Sequence, residues 1–127
     1  MISAAVRAHL LANPGSPTLT TSIYPEGDVD QDAPLPRITL RTDTDEEQTL
    51  LDGTSVLKTA LVDVDCWSLR KLEAAAMAES VTEALRGYRG DFGDYTADHI
   101  RRERYFELFE SDTRLHRASL QFFIAYY

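Results

Sequence analysis

Two periodicities alternate along the chain and divide it into elements. Ile2, Val6 and Leu10 stand one helical turn apart, which predicts a short amphipathic helix from Ile2 to about Ala12, ended by Asn13-Pro14-Gly15. Arg37 to Thr42 alternates instead, with Ile38 and Leu40 on one side, and its opening Pro34-Leu35-Pro36 suits an edge strand. From Leu57 to Trp67 the alternation is longer: Ala60, Val62, Val64 and Cys66 share one face of a strand, and Leu61, Asp63, Asp65 and Trp67 share the other. The period then changes to three and four at Ala74, Met77, Ala78, Val81, Ala84 and Leu85, the stripe of a second helix. Ser68 can cap its start and Gly87 can stop it, while Lys71 stands where a capping box wants Glu or Gln. Two further strands follow, about His99 to Phe109 and Leu115 to Tyr126. In the last, Ala118, Leu120, Phe122, Ile124 and Tyr126 make one apolar face; in the one before, Ile100, Phe106 and Leu108 oppose Tyr105 and Phe109.

The order α-β-β-α-β-β predicts an α+β fold. We expect one domain, residues 1–127, with an about four-stranded, largely antiparallel sheet and both helices on one face. Composition adds little, but the single cysteine excludes a disulfide framework, and Cys66 on the inward face reads as a small buried hydrophobe. No apolar run approaches the ~20 residues of a bilayer span, and Met1 to Arg7 lacks a secretory pattern, so a cytoplasmic protein or part of a soluble particle is expected. The formal charge of −8 works against phosphate neutralisation and hence against tight nucleic-acid binding. Arg101, Arg102 and Arg104 do cluster, but strict alternation puts Arg101 with Glu103 and Arg102 with Arg104, as in a solvated strand.

Catalytic patterns fail one after another. Gly-x-Ser-x-Gly, His-Glu-x-x-His, paired Cys motifs and the dinucleotide glycine fingerprint are all missing from the sequence. His9, His99 and His116 fall on three elements, and His9 beside the apolar edge of its helix reads as a packing or surface residue. Asp28, Asp30 and Asp32 are spaced as in a calcium loop, but Ala33 and Thr39 stand where Gly and Glu are needed; Asp43, Asp45 and Glu47 fail likewise at Gln48 and Thr54. Gly87 to Gly93 lacks the Lys-Ser/Thr of a phosphate loop, and Arg89-Gly90-Asp91 is a three-residue match that arises readily by chance. No enzyme, cofactor or metal site is expected.

What remains points to interaction. Helices can cover the face of Val62 and Val64, yet Leu61, Trp67, Tyr105, Phe123 and Tyr127 lie opposite with Asp63 and Asp65, a surface that suits another subunit unless the proline-rich segment folds over it. A second candidate is the acidic stretch Asp43 to Ser55, with Asp45, Glu46 and Glu47, read as a loop that orders against a partner.

A series of short pieces carries a likeness. Leu10-Leu11, Ile23-Tyr24-Pro25, Ala33 to Pro36, Leu51-Asp52-Gly53, Val62 to Trp67, Phe109 to Thr113 and Leu115 to Phe122 occur in one order over nearly the whole chain. Together they resemble the tail completion, or tail terminator, family of long-tailed bacteriophages and gene-transfer particles. Cys66 before Trp67 and the glycine-rich loop after the second helix depart from the pattern. The resemblance implies a structural virion protein at the head-proximal end of the tail, present in the host cytoplasm during assembly. It implies a hexameric ring that caps the tail tube, joins the head completion or connector protein, and lets DNA pass without specific binding. No membrane is involved. The competing readings are another head–tail joining ring subunit and, from a different class, a small-molecule-binding α+β domain.

Overall fold

The computed structural model describes residues 2–13, 22–25, 33–49 and 56–127. Two helices, α1 (Ile2–Ala12) and α2 (Lys71–Leu85), pack on a six-stranded sheet formed by β1 (Ile23–Pro25), β2 (Arg37–Thr49), β3 (Val56–Ser68), β4 (Gly90–Phe92), β5 (Tyr95–Glu110) and β6 (Leu115–Tyr126). The strand order is β1-β2-β3-β6-β5-β4. The α+β class is as expected; the strand count and uniformity are not. β1 and β4 are three-residue strands, too short to show alternation, and β1 runs parallel to β2, which makes the sheet mixed.

The core lies between the helices and one face of the sheet. Ala60, Val62, Val64 and Cys66 are buried with Leu120, Phe122 and Ile124 beside them, against Val6 and Leu10 of α1 and Ala74, Met77, Ala78, Val81 and Leu85 of α2. The small residues of α2 let its axis lie close to the sheet. Burial pushes the Cys66 thiol far up, as expected of a packed sulfur, with the Asp65 carboxylate adding to the shift. His9 ties the helices together: its Nε2–H donates to the carbonyl of Ala84 at 2.8 Å, and its ring lies 4.2 Å from that of Tyr88. Arg7 donates to the carbonyl of Ile23 at 2.9 Å, which fixes β1 beneath α1.

Three local expectations change. α2 begins at Lys71 and not directly after Ser68; the Ser68 hydroxyl accepts from the Arg70 N–H at 3.1 Å and donates to Glu73 at 2.5 Å. The acidic stretch expected to be a loop is strand through Thr49, paired with β3 from Thr44 to Thr49 after an irregularity that leaves Asp43 without a partner position, while 50–55 lie outside the described residues. Asp28, Asp30 and Asp32 also lie outside them. Finally, β5 carries irregularities between Ala97 and His99 and between Arg102 and Arg104, so Asp98 and Glu103 have no partner position in β6. Each extra residue reverses the alternation that follows it.

Candidate functional site

The face of the sheet away from the helices can be built row by row from the pairing. Arg37, Trp67, Arg117 and Leu108 form one row; Thr39, Asp65, Ser119 and Phe106 the next; then Arg41, Asp63, Gln121 and Arg104; then Thr44, Leu61, Phe123 and Arg101. Arginines therefore alternate with the carboxylates and aromatics that the sequence marked. Asp63 is buried and accepts from Arg41 at 2.5 and 3.1 Å and from Gln121 at 3.0 Å. Trp67 donates its indole N–H to the Thr39 hydroxyl at 3.0 Å, with the Arg117 guanidinium 5.3 Å from its ring. Phe123 lies under Arg101 at 4.2 Å. The arginine contacts place a cation beside the Asp63 carboxylate and over the Trp67 and Phe123 rings. Five candidates, Leu61, Asp63, Asp65, Trp67 and Phe123, thus lie together as expected, but in a charged mosaic more than an apolar patch.

Tyr105 does not join them. Because Glu103 is an extra residue, Tyr105 pairs with Leu120 and shares the helix side of the sheet, where its hydroxyl donates to Glu107 at 2.7 Å. Desolvation, then the Glu107 bond and charge, push its phenol up to about 12. The same slip moves Arg104 to the open face with Arg101 and leaves Arg102 on the helix side. Tyr127 is exposed, at the end of β6, where its backbone exchanges hydrogen bonds with Thr96. Asp45 and Glu47 lie on the helix side, opposite Ala60 and Lys58, and Glu46 lies on the open side opposite Thr59. Asp45 accepts from the Tyr126 hydroxyl at 2.7 Å; burial first, and then this bond, push the Tyr126 phenol far up.

The sequence reading passed over one feature. Leu69 just before α2 and Leu72 in its first turn are 63% and 82% exposed, and Leu108 and Phe109 at the end of β5 are 43% and 54% exposed. Leu35 precedes β2 at the same end of the sheet, since Arg37 pairs with Trp67. Beside them a depression of about 240 Å³ is lined by Lys71, Glu107, Leu108, Phe109, His116 and Arg117. The signal was present: Leu72 falls off the buried stripe of its own helix. Among the described residues no group of three or more His, Cys, Asp or Glu could hold a metal ion. No helix there is long and apolar enough to cross a membrane.

With the geometry in place, the chain can be compared with known proteins. A family model described as "Tail completion protein gp17" matches residues 4–127. Among solved structures, a chain of "Virion of native gene transfer agent (GTA) particle" is similar, with a TM-score of 0.69 at 18% identity, covering 98% of this chain and 92% of that one. At that identity the likeness is one of fold. No curated protein matches the sequence.

Proposed function

Because the chain belongs to the tail completion protein gp17 family, we propose that residues 1–127 fold as one subunit of a hexameric ring that caps the tail tube and joins it to the head connector. Membership makes the protein a structural component of the virion tail that associates with other tail or head proteins. Ring, cap and joint are the functional reading placed on that membership. The observation that carries it is the match over residues 4–127, which leaves almost no part of the chain for another task.

Two features of the molecule support it. The exposed leucines at one end of the sheet, with Phe109, give a subunit an apolar surface of the kind that another virion protein covers. The charge of −8 per copy suits a ring through which DNA slides, because a wall that repels phosphate does not retain it. In this reading Leu61, Asp63, Asp65, Trp67, Phe123 and Tyr127 lie on surfaces shared with neighbouring subunits or virion proteins. The deciding experiment adds the purified protein to tail tubes and to connector-bearing heads and images the products. Six copies on the tube end, and tubes that stop elongating, are expected. A ring found on the connector but never on the tube would mark a head–tail joining subunit instead.

A further inference from the structure

Both sides of the sheet, among the described residues, end in strands that are only partly covered. Among the described residues, β1 covers β2 only at Ile38–Leu40, and β4 covers β5 only at Tyr95–Ala97. Beyond those points β2 runs on to Thr49 and β5 to Glu110, and the side chains of 41–47 and 101–105 are exposed. An open strand edge presents a row of backbone donors and acceptors to any second strand of suitable direction.

The two edges differ in charge. From Asp43 to Glu47 the β2 edge carries Asp43, Asp45, Glu46 and Glu47, while the β5 edge carries Arg101, Arg102 and Arg104 with Glu103 between. They differ in direction too. β2 is antiparallel to β3, β3 to β6 and β6 to β5, so β2 and β5 of one copy run in opposite senses. Rotation about an axis roughly along the strands preserves that sense, so β2 of the next copy meets β5 antiparallel and the contact repeats head to tail. A heterologous contact of this kind closes into a ring when its rotation is a whole fraction of a turn.

The faces also agree. When every copy keeps its helices on the same side, paired residues must come from the same face. On the helix side β5 offers Arg102, and β2 offers Asp45 and Glu47; on the open side β5 offers Arg101 and Arg104, and β2 offers Glu46. Two registers, two residues apart, satisfy both faces: Arg102 meets Asp45 while Arg101 meets Glu46, or Arg102 meets Glu47 while Arg104 meets Glu46. The irregularity at Glu103 is what brings Arg101 and Arg104 to one face. Like-charged pairing of β2 with β2, or β5 with β5, would be repelled.

We propose that subunits of the ring join by antiparallel pairing of the free β5 edge of one copy with the acidic β2 edge of the next, the charges fixing partner and direction. This rests on the ring reading above and adds to it which surfaces meet. It is tested with two variants at exposed positions: Asp45→Arg/Glu46→Arg/Glu47→Arg on β2, and Arg101→Glu/Arg102→Glu/Arg104→Glu on β5. Circular dichroism and thermal melting check that each variant is folded. Sedimentation with purified tail tubes then reads assembly. Each variant alone is expected to lose assembled rings at least tenfold. Mixed, the two restore them as alternating copies, because each reversed edge then faces the other variant's reversed edge, and each wild-type edge a wild-type edge, always of opposite charge. Folded variants that each assemble alone like wild type overturn the edge pairing and leave the ring standing. Variants that both fail and are not rescued by mixing overturn it too. A wild-type chain that never assembles on tubes overturns the ring itself.

Discussion

At the scale of single residues, the open face depends on a few charged contacts that the sequence shows only as alternation. Asp63 is buried with two donors on it, so Asp63→Ala leaves Arg41 and Gln121 without their acceptor. Arg41 is partly exposed and can turn to water, which limits the cost to about 1–3 kcal/mol in urea-induced unfolding. Asp63→Asn, which keeps an acceptor oxygen, should recover part of it. Tyrosines give a pH dependence. Tyr105 and Tyr126 both ionise later in the folded chain than in the unfolded one, Tyr105 at about 12. Their contribution is fully present below the ordinary phenol pKa near ~10 and disappears as pH rises above it, because the unfolded chain loses those protons first. Buried Cys66 is raised likewise, so unfolding midpoints should begin to decline near the ordinary thiol pKa of ~8.5 and fall more steeply from pH ~10 upward, where the two tyrosines add to the loss. Tyr126→Phe removes the bond to Asp45 and should flatten that fall; an unchanged alkaline slope would assign the effect to other groups.

At the scale of elements, the legible parts were those whose period runs long enough to be read. Both helices and the four long strands follow from spacing, and the buried faces of β3 and β6 are the ones alternation names. The three-residue strands β1 and β4 carry no period. Their places come from tertiary contacts, such as Arg7 holding Ile23. Tyr105 was misplaced because a single unpaired residue, Glu103, reverses every side chain after it, and nothing in the sequence around Glu103 marks a bulge. The acidic stretch reads as a loop in the sequence, because Asp and Glu are poor strand formers; pairing along β3 overrides that preference. Close packing also fixes the β4–β5 turn. Gly93 there has φ +61°, and a Cβ would stand 2.9 Å from Cβ of Ala5 in α1. Gly93→Ala should therefore lower stability by about 2 kcal/mol, from backbone strain and from contact with Ala5 together. Gly93→Ala in an Ala5→Gly background should return only the part due to the Ala5 methyl, since the Ala5 Cα would still stand 3.0 Å from the new Cβ.

At the scale of the whole molecule, the described residues give the sheet a charged open face, two open edges and one apolar end, and these are separate surfaces. If the edges join copies to each other, the end with Leu69, Leu72, Leu108 and Phe109 is left for a different virion protein. Polar replacement distinguishes the two roles. Leu72→Gln/Phe109→Gln removes large exposed apolar groups that make little core contact, so melting should shift by no more than the equivalent of ~0.5 kcal/mol. The subunits should still join one another, since neither residue lies in the paired stretches of β2 and β5. Attachment to tail tubes or to connector-bearing heads should weaken at least tenfold in pull-down with one of the two, and that one identifies what the apolar end meets. A folded variant that keeps both attachments but no longer forms rings would move the subunit contact to this end and away from the strand edges. The same pair of measurements therefore tests the assignment of the apolar end and, independently of charge reversal, the assignment of the edges.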